Sequence, residues 1–187
     1  MTEPITFALP REWSTWLAAN HASQAELWIK LYRKDSGIKS ITWEEAVIEA
    51  LAHGWIDGVK RSGGTDHWLQ RFTPRRANSA WSQKNRAHAE KLMAEARMAP
   101  AGRAQVDAAR ASGRWDAAYS GGKGAEMPAE FLGALTKNPA AKAAYDLLDA
   151  QNRYAIYYRL TTARRPETRT KRVSDSIAML ARGETLR

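Results

Sequence analysis

The spacing of the apolar residues changes at Pro74, and this change constrains the fold more than any other feature. Before Pro74, the segment ELWIKLYRK places Leu27, Ile29 and Leu31 at every second position, which is the period of a β-strand. After Pro74 the apolar residues follow the period of an α-helix. The sequence therefore predicts an α+β fold. A small antiparallel sheet of about three strands packs with helices in the N-terminal part, and the C-terminal part is all helical.

Capping and turn signals place the elements of the first part. Thr42 and Glu45 form a capping box for a helix that Gly54 can end in a left-handed conformation. The pair Gly63-Gly64 is typical of a hairpin turn between two strands. The predicted elements are helices over residues 10–20 and 43–53, and strands over residues 26–34, 58–62 and 66–73.

Proline and glycine positions divide the second part into helices. They are predicted over residues 80–97, 100–112, 128–135, 140–150, 151–162 and 167–182. The segment SGGKG, residues 120–124, predicts a flexible hinge. We therefore expect a core domain over residues 1–119, a linker over 120–127 and a helical region over 128–187. That region either stands apart or packs with the core as one unit.

Composition excludes several classes of protein. The chain has no cysteine, which excludes disulfides, thiol catalysis and cysteine-ligated zinc. The N-terminal residues lack the features of a signal peptide, and no apolar run is long enough to span a membrane. We predict a cytoplasmic protein that does not associate with membranes. Of the eight tryptophans, Trp55 lies between two glycines and should be buried, whereas Trp43 should be exposed in the first turn of its helix.

Positive charge is concentrated in two blocks. The net charge is +9, and residues 59–103 hold ten basic and three acidic residues while residues 151–187 hold nine and three. Such asymmetry favours an anionic small molecule, an acidic protein or a nucleic acid as partner. For the net charge alone, a solubilising surface is the favoured explanation.

The segment TPRRANSAWSQKN, Thr73 to Asn85, predicts a ligand site where a strand runs into a helix. Ser79 is expected to cap that helix, whose free amides and dipole attract an anion. Paired arginines just upstream could bind a carboxylate or phosphate. The candidate ligand-binding residues are Arg75, Arg76, Ser79, Trp81, Ser82, Asn85 and Asp57. In the simpler alternative, Ser79 only caps, Trp81 fills the core, and the arginines are solvated or paired with Asp57.

Asp57 lies in the motif GWIDG, expected as a turn between a helix and a strand. In such a turn an aspartate usually bonds nearby amides, and beside the arginines it would position a guanidinium rather than perform chemistry. The four histidines have no metal-ligand spacing, so we predict no metal. No hydrolase or phosphate-loop motif is present, and no cofactor is expected. The catalytic residues of any enzyme remain unidentified, and a binding protein is favoured over an enzyme of unrecognised class.

The C-terminal basic block supports an alternative function in nucleic-acid binding. Two predicted helices with a short basic junction resemble a helix-turn-helix, although the usual glycine in the turn is missing. A tail helix with a solvated basic rim is the simpler explanation. The residues of this alternative are Arg164, Arg165, Arg169, Lys171 and Arg172.

Several strings together resemble the YdeI/OmpD-associated family, also called bacteriocin-protection proteins. They are ELWIKLYRK, EALAHGWIDG, FTPRRANSAWSQKN, ARMAPAGRAQVDAARASGRW and ARRPETRTKRV, in the order of the family and spanning roughly residues 7–183. The resemblance implies a small cytosolic protein associated with bacteriocin tolerance and an outer-membrane porin. It implies no particular reaction and assigns no catalytic residue.

Overall fold

The structure, a computed structural model, describes residues 3–121 and 125–186. It divides into two compact units, Met1–Ala117 and Ala118–Arg187. Each unit is described by itself. The residues Gly122, Lys123 and Gly124, which belong to the expected linker and hinge, lie outside the described residues.

The first unit contains four α-helices and three strands among its described residues. They are α1 (Pro10–Asn20), β1 (Leu27–Tyr32), α2 (Trp43–Ala52), β2 (Trp55–Ser62), β3 (His67–Pro74), α3 (Gln83–Ala94) and α4 (Pro100–Ala111), with a short 3-10 turn at Lys34–Ser36. The second unit contains α5 (Ala129–Thr136), α6 (Pro139–Leu147), α7 (Ala150–Thr161) and α8 (Pro166–Ala181). The predicted α+β class is confirmed.

The sheet is antiparallel with strand order β1-β3-β2. Leu27 pairs with Phe72, and both side chains face the core. The prediction was wrong about the start of β2, because this strand begins at Trp55 and not at Gly58. The motif GWIDG therefore belongs to the strand, and Asp57 pairs with Phe72 instead of standing in a turn. A bulge after Asp57 shifts the register before Lys60 resumes the pairing.

A cluster of aromatic rings forms the core of the first unit. Trp13 lies 5.6 Å from Phe72 and 6.2 Å from Trp55 between ring centroids, so α1 packs on the sheet face that carries Phe72. Trp13 donates from its indole nitrogen to the carbonyl oxygen of Ala46 at 3.0 Å. Trp55 is buried and Trp43 is 37% exposed, which confirms both predictions. Large rings with satisfied N–H groups give this small sheet a rigid core.

The helix ends of the first unit follow the local signals with one exception. Thr42 and Glu45 form the predicted capping box, and Gly54 adopts the left-handed conformation at φ +76°. The exception is α3, which begins at Gln83, not at residue 80. A side chain at Gly102 would clash with carbonyl oxygens near the end of α2, so this glycine allows α4 to approach α2 closely.

The second unit is a small helical bundle with its own apolar core. The buried residues are Phe131, Leu135, Ala141, Ile156, Leu160 and Leu180. On α8, Leu180 is buried as predicted, but Val173 and Ile177 are only partly buried. The hydroxyl of Ser176 is buried too and donates to the Arg172 carbonyl oxygen at 2.7 Å. In the part of the chain that the structure describes, no helix combines the length and apolarity needed to cross a membrane.

Candidate functional site

Two motifs that are separated in sequence meet at one end of the sheet. Trp55 pairs with Pro74, and Asp57 pairs with Phe72, so GWIDG lies beside the start of TPRRANSAWSQKN. The backbone N–H of Arg75 donates to the Gly54 carbonyl oxygen at 2.9 Å, which closes this end. We call residues 54–58 together with residues 73–85 the corner.

Arg75 is a buried part of the corner. Its side chain is almost inaccessible, and the residue is only 5% exposed. The guanidinium carbon lies 3.9 Å from the centroid of the Trp81 ring, and Nη2 donates to the Ala80 carbonyl oxygen at 2.9 Å. Trp81 is itself buried and contacts Trp115 edge to face at 5.0 Å. A guanidinium held in this way fixes the backbone at the exit of β3.

Asp57 lies in the same environment. Burial raises the pKa of Asp57, while a hydrogen bond from the side chain of Trp43, a backbone bond and the charge of Arg75 oppose that rise. The carboxyl group therefore interacts with two side chains that are far from it in sequence. The charge of Arg75 acts on Asp57, and Trp43 was not foreseen as its hydrogen-bond partner.

The cap of α3 is Ser82, and the prediction that Ser79 caps this helix was wrong. The Ser82 hydroxyl accepts from the backbone N–H of Asn85 at 3.1 Å. The Ser79 hydroxyl instead accepts from the N–H of Arg76 at 3.1 Å and closes a local turn before the helix. Two serines three residues apart both suit an N-cap, and the buried position of Trp81 selects the second as the start of the helix.

The first turn of α3 carries positive charge and no acidic side chain. Lys84 pairs with Glu44 at 2.9 Å, and its ammonium nitrogen lies 5.3 Å from the Trp43 ring. The hydrogen bond and charge of Lys84 lower the pKa of Glu44. Burial, followed by the charge of Lys84, lowers the pKa of His88, which stands 3.6 Å from Glu44. Trp43 and Glu44 thus extend the corner toward solvent through their contacts with Lys84.

Arg76 and Asn85 complete the corner. Arg76 is exposed, and within the described parts of the chain no ion pair engages its guanidinium. Asn85 is half-buried in the first turn of α3. Of the predicted site residues, Arg75, Trp81 and Ser82 are buried, whereas Arg76 is the one with an exposed charge.

Arg114 supports the corner and was missed by the sequence analysis. It is buried, and Nη1 donates to the Ser79 carbonyl oxygen at 3.1 Å. Its other nitrogens donate to the Ala108 carbonyl oxygen at 3.1 Å and to the Ser112 hydroxyl at 2.8 Å. These bonds tie the end of α4 to the turn before α3. No motif marks this arginine, so only a three-dimensional structure could identify it.

The C-terminal arginines and lysine of the nucleic-acid alternative largely contact protein acceptors. Lys171 pairs with Asp175 at 3.0 Å, and Arg169 approaches Glu130 at 3.4 Å. Arg172 donates to the Arg159 carbonyl oxygen at 2.5 Å. The two remaining members, Arg164 and Arg165, are exposed just before α8. Most of this block therefore stabilises the helices of the second unit, which weakens its case as a nucleic-acid surface.

A cleft between α1 and the end of α2 contains the one serine–histidine pair that the described residues bring together. The cavity is about 550 Å³, and Ser14 Oγ lies 3.3 Å from His53 Nε2. Burial, followed by the charge of His21, lowers the pKa of His53. The other ring nitrogen, Nδ1, is buried without a hydrogen-bond partner in the described parts of the chain. A catalytic histidine is normally oriented by an acceptor at that nitrogen, so this pair lacks the third group of a hydrolase site.

No cluster of three or more potential metal ligands occurs among residues 3–121 and 125–186.

Comparison with known families gives two matches along the chain. Residues 5–105, just over half of the chain, match the model of DUF8412, described as a domain of unknown function. Residues 124–183 match the model described as Bacteriocin-protection, YdeI or OmpD-Associated. The family inferred from the motifs is thus confirmed through the C-terminal residues, while the corner motifs lie within the DUF8412 match. No curated protein and no solved structure matches the chain.

Proposed function

We propose a binding function for this chain, which belongs to the DUF8412 family and whose residues 124–183 match the bacteriocin-protection, YdeI or OmpD-associated model. The proposed ligand is a small anionic molecule, held at the corner by a carboxylate or phosphate group. The proposed location is the cytoplasm, and the proposed consequence is the protection against bacteriocins that the family description names.

The observation that carries the proposal is the charge of the corner. Arg75 is balanced by Asp57 nearby, and Lys84 is paired with Glu44. Arg76 then contributes an exposed positive charge that these carboxylates do not balance. The corner also contains the N-terminal end of α3, where the backbone N–H groups of Gln83 and Lys84 have no acceptor within the helix. A cation beside a helix N-terminus favours an anion.

The surrounding groups suggest the shape of the ligand. Trp43 is 37% exposed, and its hydrogen bond to Asp57 and contact with Lys84 fix its ring near the first turn of α3. Such a ring can cover a flat organic group attached to the anion. The half-buried amide of Asn85 can add a neutral hydrogen bond. The proposal therefore assigns contact with the anion to Arg76, a wall to Trp43, and a supporting role to Arg75 and Trp81.

A titration of purified protein tests the proposal. Inorganic phosphate, adenosine monophosphate and citrate are added separately, and binding is followed by calorimetry and by NMR signals of the Trp43 indole. Arg76→Ala should weaken binding about tenfold, since a charge-assisted hydrogen bond contributes on the order of 1.5–3 kcal/mol. Trp43→Ala should weaken the adenosine ligand and leave inorganic phosphate nearly unchanged.

The matched control is Arg33→Ala, which removes an exposed arginine elsewhere in the first unit. It should change affinity by less than about twofold, because distant surface charges are screened by salt. Equal losses in Arg76→Ala and Arg33→Ala would mean that only net charge matters and that the corner is not a site. The absence of binding for all three probes would also reject the proposal.

The proposed protection can be tested in cells that lack this protein. Survival after exposure to a bacteriocin is compared for cells complemented with the wild-type chain, with Arg76→Ala and with Arg33→Ala. We expect Arg76→Ala to fail and Arg33→Ala to restore survival. Restored survival by both variants, at equal protein levels, would separate protection from ligand binding at the corner.

A further inference from the structure

The cleft between α1 and the end of α2 has side chains of both charges in its walls. Helix α1 contributes Arg11 and Ser14, helix α2 contributes Glu49 and His53, and Arg97 comes from the segment after α3. We propose that this cleft binds a free α-amino acid, with the ammonium group at Glu49 and the carboxylate at Arg11.

Helical spacing places these groups on the two facing helices. Arg11 and Ser14 are three residues apart on α1, and Glu49 and His53 are four apart on α2, so each pair shares one helix face. Ser14 Oγ lies 3.3 Å from His53 Nε2 and joins the two helices within the cleft. The walls therefore belong to packed helices and not to loops.

Glu49 is the residue that points to a ligand. Its side chain is only 10% exposed, and Oε1 accepts from Arg97 Nη2 at 2.5 Å. In the parts of the chain that the structure describes, Oε2 accepts no hydrogen bond. A carboxylate withdrawn from water needs donors at both oxygens, and a molecule in the cleft can supply the second donor.

The surroundings of Glu49 favour an ammonium group as that donor. Arg97 divides its donors, since Nη1 donates to Glu95 Oε2 at 3.2 Å, and it fills only one oxygen of Glu49. Burial, followed by the charge of His21, lowers the pKa of His53, which favours the neutral ring and removes a charge that would repel a cation. An ammonium group has three N–H donors and a positive charge, so it can bond Glu49 and the Ser14 hydroxyl together.

Arg11 provides the opposite charge in the same cleft. It is exposed, and among the described residues its guanidinium forms no ion pair. A guanidinium can bind a carboxylate through two parallel N–H donors. A free amino acid carries an ammonium and a carboxylate on one small molecule, which matches Glu49 and Arg11 together.

The size and the remaining walls of the cleft suit a ligand of this kind. The cavity of about 550 Å³ lies in the range of small-molecule sites. Pro10 and Ala18 add small apolar surfaces that an aliphatic side chain of the ligand can contact. This cleft is separate from the corner and needs a positively charged group on its ligand. The two proposals can therefore fail independently.

Calorimetric titration of the intact chain with the common L-amino acids, each added separately, tests the proposal. At least one of them should bind. The tightest binder is then compared with its amide, which lacks the carboxylate, and with its N-acetyl derivative, which lacks the ammonium group. Each derivative should bind at least about tenfold more weakly, as expected for the loss of one charge-assisted contact. No binding by any amino acid, or equal binding of the N-acetyl derivative, would overturn the proposal.

Glu49→Gln tests the ammonium end and should weaken binding of the amino acid at least about tenfold. The matched control is Glu95→Gln, which removes the other carboxylate bonded to Arg97 and leaves Glu49 in place. It should change the affinity by less than about threefold. Equal losses in the two variants would show that Glu49 acts only through Arg97 and would reject its role as a ligand contact.

Arg11→Ala tests the carboxylate end on an exposed residue, so it remains informative if Glu49→Gln does not fold. It should weaken the amino acid about tenfold and leave its amide within about twofold of wild type, because the amide has no carboxylate to lose. Arg103→Ala, on the exposed surface of α4, and Arg76→Ala, at the corner, should each change the affinity by less than about threefold. Equal weakening of the amino acid and its amide by Arg11→Ala would contradict the assigned orientation and overturn the proposal.

Discussion

The first unit contains two arginine–tryptophan pairs that differ in burial. In the corner, Arg75 lies 3.9 Å from the Trp81 ring and is 5% exposed. On β2, Arg61 lies 4.6 Å from the Trp28 ring and is exposed. The first guanidinium bonds the backbone of Ala80 and stands near Asp57, whereas the second forms an outer layer over its ring.

This difference shows that burial, and not the contact with a tryptophan ring, determines how much such an arginine contributes to stability. A buried guanidinium must be balanced by nearby acceptors, and its removal leaves those acceptors unpaired in a medium of low polarity. An exposed guanidinium is solvated on one side and contributes little to stability. Arg75 therefore stabilises the fold, whereas Arg61 contributes little to its stability.

The largest effect is expected from removing Arg75. Arg75→Ala should lower the free energy of unfolding by about 3–5 kcal/mol, because Asp57 loses a nearby positive charge and the Ala80 carbonyl oxygen loses a donor. Arg61→Ala should cost only about 0.5–1 kcal/mol, as for an exposed cation over a ring. Urea unfolding followed by tryptophan fluorescence and circular dichroism measures both. Similar losses in the two variants would contradict the distinction drawn between the pairs.

A smaller difference is expected between two buried tryptophans changed to phenylalanine. The indole nitrogen of Trp55 donates to the His21 carbonyl oxygen at 3.1 Å, whereas that of Trp81 has no partner among residues 3–121 and 125–186. Trp55→Phe should therefore cost about 2 kcal/mol, and Trp81→Phe about 1 kcal/mol or less. Thermal melts of the two variants under identical conditions make the comparison. A larger loss for Trp81→Phe would show that its N–H has an acceptor after all.

The smallest effect is expected in how the free energy of unfolding depends on pH, to which Asp57 in the corner contributes. Burial raises the pKa of Asp57 above its ordinary value of 3.8, so the folded protein binds this proton more tightly than the unfolded chain. The stabilisation that this proton on Asp57 provides is fully present below pH 3.8. It is lost as pH rises through the pKa of Asp57 in the folded protein. Relative to Asp57→Asn, the wild type should thus become less stable as pH increases over that window.

Urea unfolding of wild type and Asp57→Asn at a series of pH values checks the sign. The difference between the two free energies removes the contribution of the other carboxyl groups, which the proteins share. If the wild type instead gains stability relative to Asp57→Asn with rising pH, the charge of Arg75 outweighs burial. The pair in the corner would then resemble an ordinary salt bridge.

Local features of the fold could be predicted from the sequence because their causes act within a few residues. The capping box of Thr42 and Glu45 and the left-handed Gly54 depend on hydrogen bonds and backbone preferences inside one turn. The alternation that begins at Leu27 gave the face of β1 that becomes buried. The strand start at Trp55 was missed, since a glycine-flanked segment has weak strand preference until β3 supplies its hydrogen bonds.

The sequence by itself determined the class of the fold, the capping box of α2 and the buried face of β1. Tertiary structure decided the roles of the corner residues: it buried Arg75 and Trp81, left Arg76 exposed, and brought Trp43 to Asp57. Arg114 contacts Ser79 from 35 residues away, which no local pattern encodes. The physical reason is that caps and periodicity arise from neighbours along the chain. Burial and the pairing of charges depend instead on groups that only folding brings together.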